Sequence, residues 1–487
     1  MKLRKYSHRM IIGICIPIML LSITGCKKYL QIPAPANSIS SQNIYSLDNT
    51  AIGVLSGIYV KMTINPHLPA FTSCSADELT LLNNSYSVAL NMAYANNLNS
   101  DAVGGGNYDF WSPFYNLIYV ANAAIEGLNQ STTLTPAVKQ QLLGEAVFIR
   151  AWCYFYLVNL YGDVPLALTP DYKINASLER RPATQVYQQI IADLIDAQTR
   201  LSADFLDVTL LNKTTERVRP TKWAATALLA RAYLYYGNLS GDATNYKNAA
   251  DQASTILQSS SPFSLVSLNN AFLTNNNEAI WQLQSQPPSS SNGGVDTREA
   301  AFFIIPAGGP SQFSPVGVSP FLLSAFEPGD QRRVKWIDSV KISGTINYFA
   351  SKYKDNKNDV SSTTEYVTVF RLAEQYLILA EAKAVQGDLV NAATNLNKVR
   401  TRAGLPNTTA STQSEMLAAI QHERQIEFFT EFGHRWFDLK RTKIINAVMS
   451  VVTPKKGGIS WDPNQALYPI PLAQIQAAPR LNQNAGY

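Results

Sequence analysis

The segment HERQIEFFTE, residues 422–431, sets Glu423, Glu427 and Glu431 four residues apart. That spacing puts three carboxylates on one helix face, with Arg424 and Arg435 near in sequence. Such a ladder could supply acid and base groups for hydrolysis. In a packed helix it reads better as a buried ion-pair network, because structural networks also bring strong charge partners together. The same segment begins like the zinc motif H-E-x-x-H, but Ile426 stands where the second histidine belongs. There is no G-x-S-x-G elbow and no phosphate-binding Walker loop. Gly104-Gly105-Gly106 is followed by neither a lysine nor a helical pattern, so it reads as a flexible loop. Asp355 and Asp359 in KDNKNDV resemble part of a calcium loop without its glycine or distal glutamate, and read as a solvated turn. No catalytic group, metal or cofactor is expected.

Sugar recognition asks for other residues. Aromatic faces stack on the C–H faces of a sugar ring, and Asn, Asp, Gln and Arg bond its hydroxyls. The richest such stretch is Cys74–Phe110, which offers Asp77, Asn83, Tyr86, Tyr94, Asn96, Asn97 and Tyr108 in irregular chain. Asp77-Glu78 is its only adjacent acid pair, and a glycan hydrolase would need two such carboxylates at a set separation. Trp111, Trp152, Trp223 and Trp436 fall in helical pattern and are expected in the core.

The elements that hold these residues follow a leader. Residues 1–25 carry Lys2, Arg4, Lys5 and Arg9 and no acid, then a short apolar run broken by Pro17. The run is too short to span a bilayer, which takes about 20 apolar residues, and it has the form of a secretory signal. It ends Ile23-Thr24-Gly25-Cys26, which resembles a lipoprotein processing box. Cys26 would then carry acyl chains. One chain holds weakly, so stable anchoring takes more than one. Losing the leader's four cations takes the net charge from +5 to +1, so nothing favours nucleic acid. Only Cys74 and Cys153 would remain unmodified, which implies no disulfide framework.

Helical pattern begins near Ser46. Two later segments are alike: WAATALLARAYLYYGN with YKNAADQASTIL, and AEQYLILAEAKAVQGD with LVNAATNLNKVRTRAGL. Each reads as helix, glycine turn, helix, with Gly237 and Gly387 expected to end the first helix. Ala249, Ala250, Ala392 and Ala393 are small enough for close helix contact. The pattern is that of a tetratricopeptide hairpin, which buries a core only by stacking. A looser copy is GEAVFIRAWCYFYLVNLYGD. EAIWQLQS alternates as a strand does. KWIDSVK and INYFASKYK predict a hairpin turning at Ser343-Gly344. Thr412 and Glu415 fit a capping box for the helix that carries the glutamate ladder. The Pro-, Gly- and Ser-rich stretch over residues 285–320 reads as a long functional loop, and the last twenty residues as coil.

In order along the chain stand Cys26, WSPFYNLIYVANAAIE, GEAVFIRAWCYFYLVNLYGDVPL, WAATALLARAYLYYGN, FEPGDQRR, FRLAEQYLILAEAKA, LNKVRTRAGLP, ERQIEFFTEFGHRWFDLKR and a terminal PIPLAQI…LNQNAGY. Together they resemble the SusD/RagB family of outer-membrane nutrient-binding lipoproteins of Bacteroidetes. The resemblance implies a mainly α fold, a SusD-like α-α superhelix of tetratricopeptide-like hairpins with irregular loops and a few short β-hairpins. It implies a leader over 1–25, an N-terminal part over 26–285 and a C-terminal part over 286–487. It further implies no enzyme but a lipid-anchored receptor at the cell exterior, which binds an oligosaccharide and passes it to a SusC-like TonB-dependent transporter. The ligand site would draw on Asp77, Asn83, Tyr86, Tyr94, Asn96 and Tyr108, and on Phe302 and Phe313 of the central loop, which also holds Phe303. Where family members often carry acids after the cysteine, this chain has Lys27 and Lys28. Two other classes compete: a helical-repeat glycan hydrolase, and a tetratricopeptide-like protein-binding scaffold.

Overall fold

The helices are long where apolar residues recur on more than one face. A computed structural model describes residues 44–64, 67–85, 87–104, 108–258, 262–285, 296–354, 363–457 and 460–487. Its main elements are α1 (Asp48–Ile64), α2 (His67–Ser75), β1 (Leu79–Leu81), α3 (Val88–Ala95), α4 (Trp111–Gln130), α5 (Pro136–Tyr161), α6 (Ala183–Arg200), α7 (Lys222–Ser240) and α8 (Ala243–Leu257). Then come β2 (Ala279–Leu283), α9 (Arg298–Phe303), β3 (Val316–Val318), β4 (Ile337–Ile342), β5 (Thr345–Ala350) and β6 (Val367–Arg371). The C-terminal helices are α10 (Leu372–Val385), α11 (Leu389–Arg402), α12 (Gln413–Glu427), α13 (His434–Arg441) and α14 (Ile445–Lys455). The protein is mainly helical, as its pattern implies.

Helices α4 to α8 pack each on the next along the chain, and the α5–α6 contact is the most extensive. Helix α8 then packs on α10, and α10 on α11 and α12. The two look-alike hairpins, α7–α8 and α10–α11, are thus direct neighbours, although the chain from Leu257 to Leu372 separates them. Two buried ion pairs join elements of this stack. Arg231 of α7 grips Glu374 of α10 at 2.5 and 2.6 Å, and Arg441 of α13 meets Glu381 of α10 at 2.8 Å.

Gly387 turns at φ 81° after α10, as expected. Gly237 does not end its helix. Helix α7 continues to Ser240 and stops at Gly241, with φ 73°. Gly237 instead lies where α8 crosses, and a Cβ there would sit 3.1 Å from the Tyr246 ring. The glycine serves close approach, which a sequence pattern cannot tell from a turn.

The capping box at Thr412 is present: Thr412 Oγ1 accepts from the Glu415 N–H at 3.2 Å, and Glu415 accepts from the Thr412 N–H at 3.1 Å. Strands β4 and β5 form the expected hairpin, with Ser343 and Gly344 at φ 47° and 87°, the signs of a tight primed turn. Strand β2 forms as well, but all five positions are buried, because it pairs with β6 while Trp281 packs edge-on against Phe148. The central stretch is not one long loop. It forms α9 and then β3, which pairs antiparallel with β1. The tail contains a short helix, Leu472–Ala477, and buries Tyr468, whose hydroxyl lies 2.8 Å from that of Ser75. Residues Tyr45–Tyr487 form one compact unit, and the β1–β3 and β2–β6 ladders both cross residue 285.

Gly53 and Gly57 lie within α1, where an added Cβ would meet nothing within 4 Å. Gly53→Ala and Gly57→Ala should each raise stability by about 0.5–1 kcal/mol. Gly237→Ala should give no such gain and lose about 1 kcal/mol, because overpacking offsets helix propensity. Urea unfolding followed by far-UV circular dichroism reads the difference in sign.

Candidate functional site

The glutamate ladder is fully engaged by cations. Arg332 bonds Glu423 at 2.6 Å, Glu427 at 2.8 Å and Asp330 at 2.8 Å. Arg371, the last residue of β6, bonds Glu427 and, at 2.9 Å, Glu431. Arg402, at the end of α11, bonds Glu427 and reaches Glu278 at 2.8 Å. Lys352 takes Glu431. Burial would raise the Glu427 carboxyl, but Arg402, Arg371 and Arg332 overcome it and hold it well below the usual range. His434 lies buried against Phe428, ring centroids 4.6 Å apart. Burial, with Arg231 and Arg424 close by, drives its pKa well down, so it is neutral. These groups neutralise one another inside the core, where their side chains are buried.

Asp77 and Glu78 are also buried. Asp77 is held two-pronged by Arg435 of α13, at 2.6 and 2.7 Å. An acid pair so enclosed cannot flank a glycosidic bond, and Asp77 is not free to bond a ligand. Its backbone carbonyl accepts from the Ser319 hydroxyl, while the Glu78 carbonyl accepts from the Ser319 N–H at 2.9 Å. These bonds fasten the end of β3 to the start of β1.

That ladder brings together the two regions expected to form the ligand site. The register sets Leu79 opposite Val318, Thr80 opposite Gly317 and Leu81 opposite Val316. Past its end, the Leu82 and Asn83 N–H groups both donate to Pro315 O, at 2.8 and 3.0 Å. Asn83 is half-buried, and its Oδ1 accepts from the Ser85 N–H at 2.9 Å. Two residues from Pro315 stands Phe313, 68% exposed. A Cβ at Gly317 would meet Leu82 Cδ1 and Tyr348 O, each at 2.8 Å, so β5 lies directly alongside. On β5 the half-buried Tyr348 ring is stacked by Arg333, 4.7 Å from its centroid. Asn83 and Leu82 therefore lie against the loop that carries Phe313, and β5, with its Tyr348–Arg333 stack, runs alongside.

The other expected site residues lie elsewhere. Tyr94 is half-buried, and Lys456 sits 5.2 Å from its ring. Asn96 is buried at the end of α3 with φ 51°. It donates to Ser75 O at 2.8 Å and accepts from Thr453 Oγ1 at 2.9 Å. Tyr108 is buried against Phe71, and Phe302 against Phe303. Asn96, Tyr108 and Phe302 thus support the loops from beneath, because an irregular segment needs buried side chains to satisfy and fill it. Asn97 is exposed. Tyr86, Asp355, Asp359 and the anchor Cys26 lie outside the described residues. The sequence reading missed Tyr348 and Arg333. The polar-aromatic run Asn347-Tyr348-Phe349 on the expected hairpin was the available signal.

With this geometry in view, two family profiles match the chain. One, described as SusD family, covers residues 329–487, and one described as "Starch-binding associating with outer membrane" covers residues 40–234. The chain belongs to the SusD/RagB family. SusD-like protein P25 of Formosa agariphila is 26% identical over 444 residues, spanning 78% of this chain and 79% of that one. A SusD-like protein of Bacteroides fragilis has the same fold, with TM-score 0.76 at 21% identity over 93% of this chain and all of that one. A structure described as a laminarin binding SusD-like protein aligns with TM-score 0.73 at 24% identity, over 91% of this chain and all of that one.

Two outcomes test the site's support. Glu427→Gln leaves Arg371, Arg332 and Arg402 undercompensated in the core and should cost about 3–5 kcal/mol in chemical denaturation, whereas Asn83→Ala should stay within about 0.5 kcal/mol. Burial, reinforced by Asp77, raises the Glu78 carboxyl from 4.5 to about 7. The folded chain then keeps a proton that the unfolded chain has released, so this residue's contribution falls as pH rises from 4.5 to about 7 and stays lost above. The stability of Glu78→Gln relative to the native chain should accordingly rise across that window.

Proposed function

We propose that the protein is a lipid-anchored receptor on the outer face of the outer membrane. It captures an oligosaccharide on the Phe313 rim and delivers it to a SusC-like TonB-dependent transporter, without breaking a bond. One observation carries the reading: the β1–β3 ladder holds the Asn83 loop and the Phe313 loop beside the Tyr348–Arg333 stack. The rim thereby offers an exposed aromatic face for a sugar ring, with amides and a guanidinium for its hydroxyls. The adjacent acids are locked in ion pairs or buried, so the rim suits binding and not hydrolysis. Membership of the SusD/RagB family supports the reading, as do the laminarin-binding structural relative and the starch-binding description of the N-terminal profile. Cys26, at the end of the leader, is the proposed site of acylation, which would hold the receptor at the membrane with no spanning helix.

Binding rests on stacking and hydrogen bonds, each worth little after ordering costs. Phe313→Ala and Tyr348→Ala should each weaken binding about 5-fold or more on a glycan array and in titration calorimetry, with thermal stability unchanged for the exposed Phe313. Sugar released from any bound polysaccharide, or full affinity in both variants, would overturn the assignment.

A further inference from the structure

The loop that carries Phe313 also borders a second opening. Its earlier residues, with the β4–β5 hairpin, wall a cleft of about 610 Å³, the size of a small-ligand site. Pro306 on the loop and Phe349 on β5 give it an apolar wall. Lys335 and Lys354 line the same cleft. Lys354 Nζ donates to Asn269 Oδ1 at 3.2 Å. Among the described residues neither ammonium forms a salt bridge, although Lys352, two positions before Lys354, is paired with Glu431. Among the described residues the one acid lining the cleft, Asp338, already accepts the Ser339 N–H at 2.7 Å. Glu365 lies behind, its carboxylate taking the Lys354 backbone N–H at 2.8 and 3.0 Å. Burial, with Lys335 repelling from across the cleft, lowers the Lys354 amine from its ordinary range, while Glu365 and Asp338 only partly restore it. In the core beneath, Arg332, Arg371 and Arg402 are each matched by acids. Here two cations face open space beside an apolar wall suited to a sugar ring.

We infer that this cleft receives an anionic substituent of the glycan, a uronate carboxylate or a sulfate ester, between Lys335 and Lys354. The inference rests on the glycan-receptor reading and extends it to the class of sugar. A charged pair of this kind forms shorter and stronger bonds than a guanidinium or amide forms with a neutral hydroxyl, and salt weakens them where they are exposed.

The test uses the mature chain, titrated with tetragalacturonate, its methyl ester, a sulfated carrageenan tetrasaccharide and its desulfated form. One acidic chain should bind roughly tenfold more tightly than its neutral counterpart. The advantage should shrink as salt rises from about 0.05 to 0.5 M. Lys335→Gln and Lys354→Gln should abolish the advantage while leaving affinity for the neutral chain, and circular dichroism should show an unchanged fold. Which acidic chain gains tells carboxylate from sulfate. Equal affinity for acidic and neutral chains, or an advantage that survives both substitutions, overturns the anion site and leaves the receptor reading standing. Failure of all four chains, with no other glycan bound on an array, overturns both.

Discussion

The architecture depends on the burial of Arg332, Arg371 and Arg402 around Glu427. Isolated, any of these charges would be prohibitively costly in the core; together they satisfy one another. Each guanidinium comes from a different part of the chain. Arg332 precedes β4, Arg371 ends β6 and Arg402 ends α11, while the carboxylate sits on α12. The network therefore does what apolar packing alone does poorly. It fixes the relative position of irregular segments whose own hydrogen bonding is sparse, because charged forks accept only a narrow set of directions.

The rim inherits that positioning. Its aromatic and amide groups stand on short loops that would wander if left to themselves. A three-residue ladder, the Ser319 bonds to Asp77 and Glu78, and the grip of Arg435 on Asp77 tie those loops to α13. Acids that resemble catalytic groups in the sequence turn out to be fasteners. The proposed receptor would gain from this, since pre-ordered loops lose less entropy when a ligand arrives.

The helical repeats were legible because their signals are short-range. The small-residue pattern, the Thr412 capping box, the Ser343-Gly344 turn and the four-residue spacing of the glutamates each express physics within one or two turns of chain. Gly237 was misread for the same reason. A glycine in a helical pattern says that a Cβ is unwelcome, not whether a turn or the Tyr246 ring excludes it. The site was only half legible. Asn83 and Phe313 reach the rim, Tyr94 is partly covered, and Asp77, Asn96, Tyr108 and Phe302 are inside. Composition marked two regions that the β1–β3 ladder joins, but it could not separate exposed residues from residues that hold the loop.

By itself the sequence determined the helical hairpins, the Thr412 cap, the hairpin turn and the family, since these rest on local spacing and on motifs in fixed order. Tertiary structure alone decided which polar residues are exposed. Asp77 meets Arg435 across 358 residues, and Leu81 faces Val316 through a strand absent from the sequence pattern. Such partners are set by the closure of long loops around a shared core, and no local window of residues contains that information.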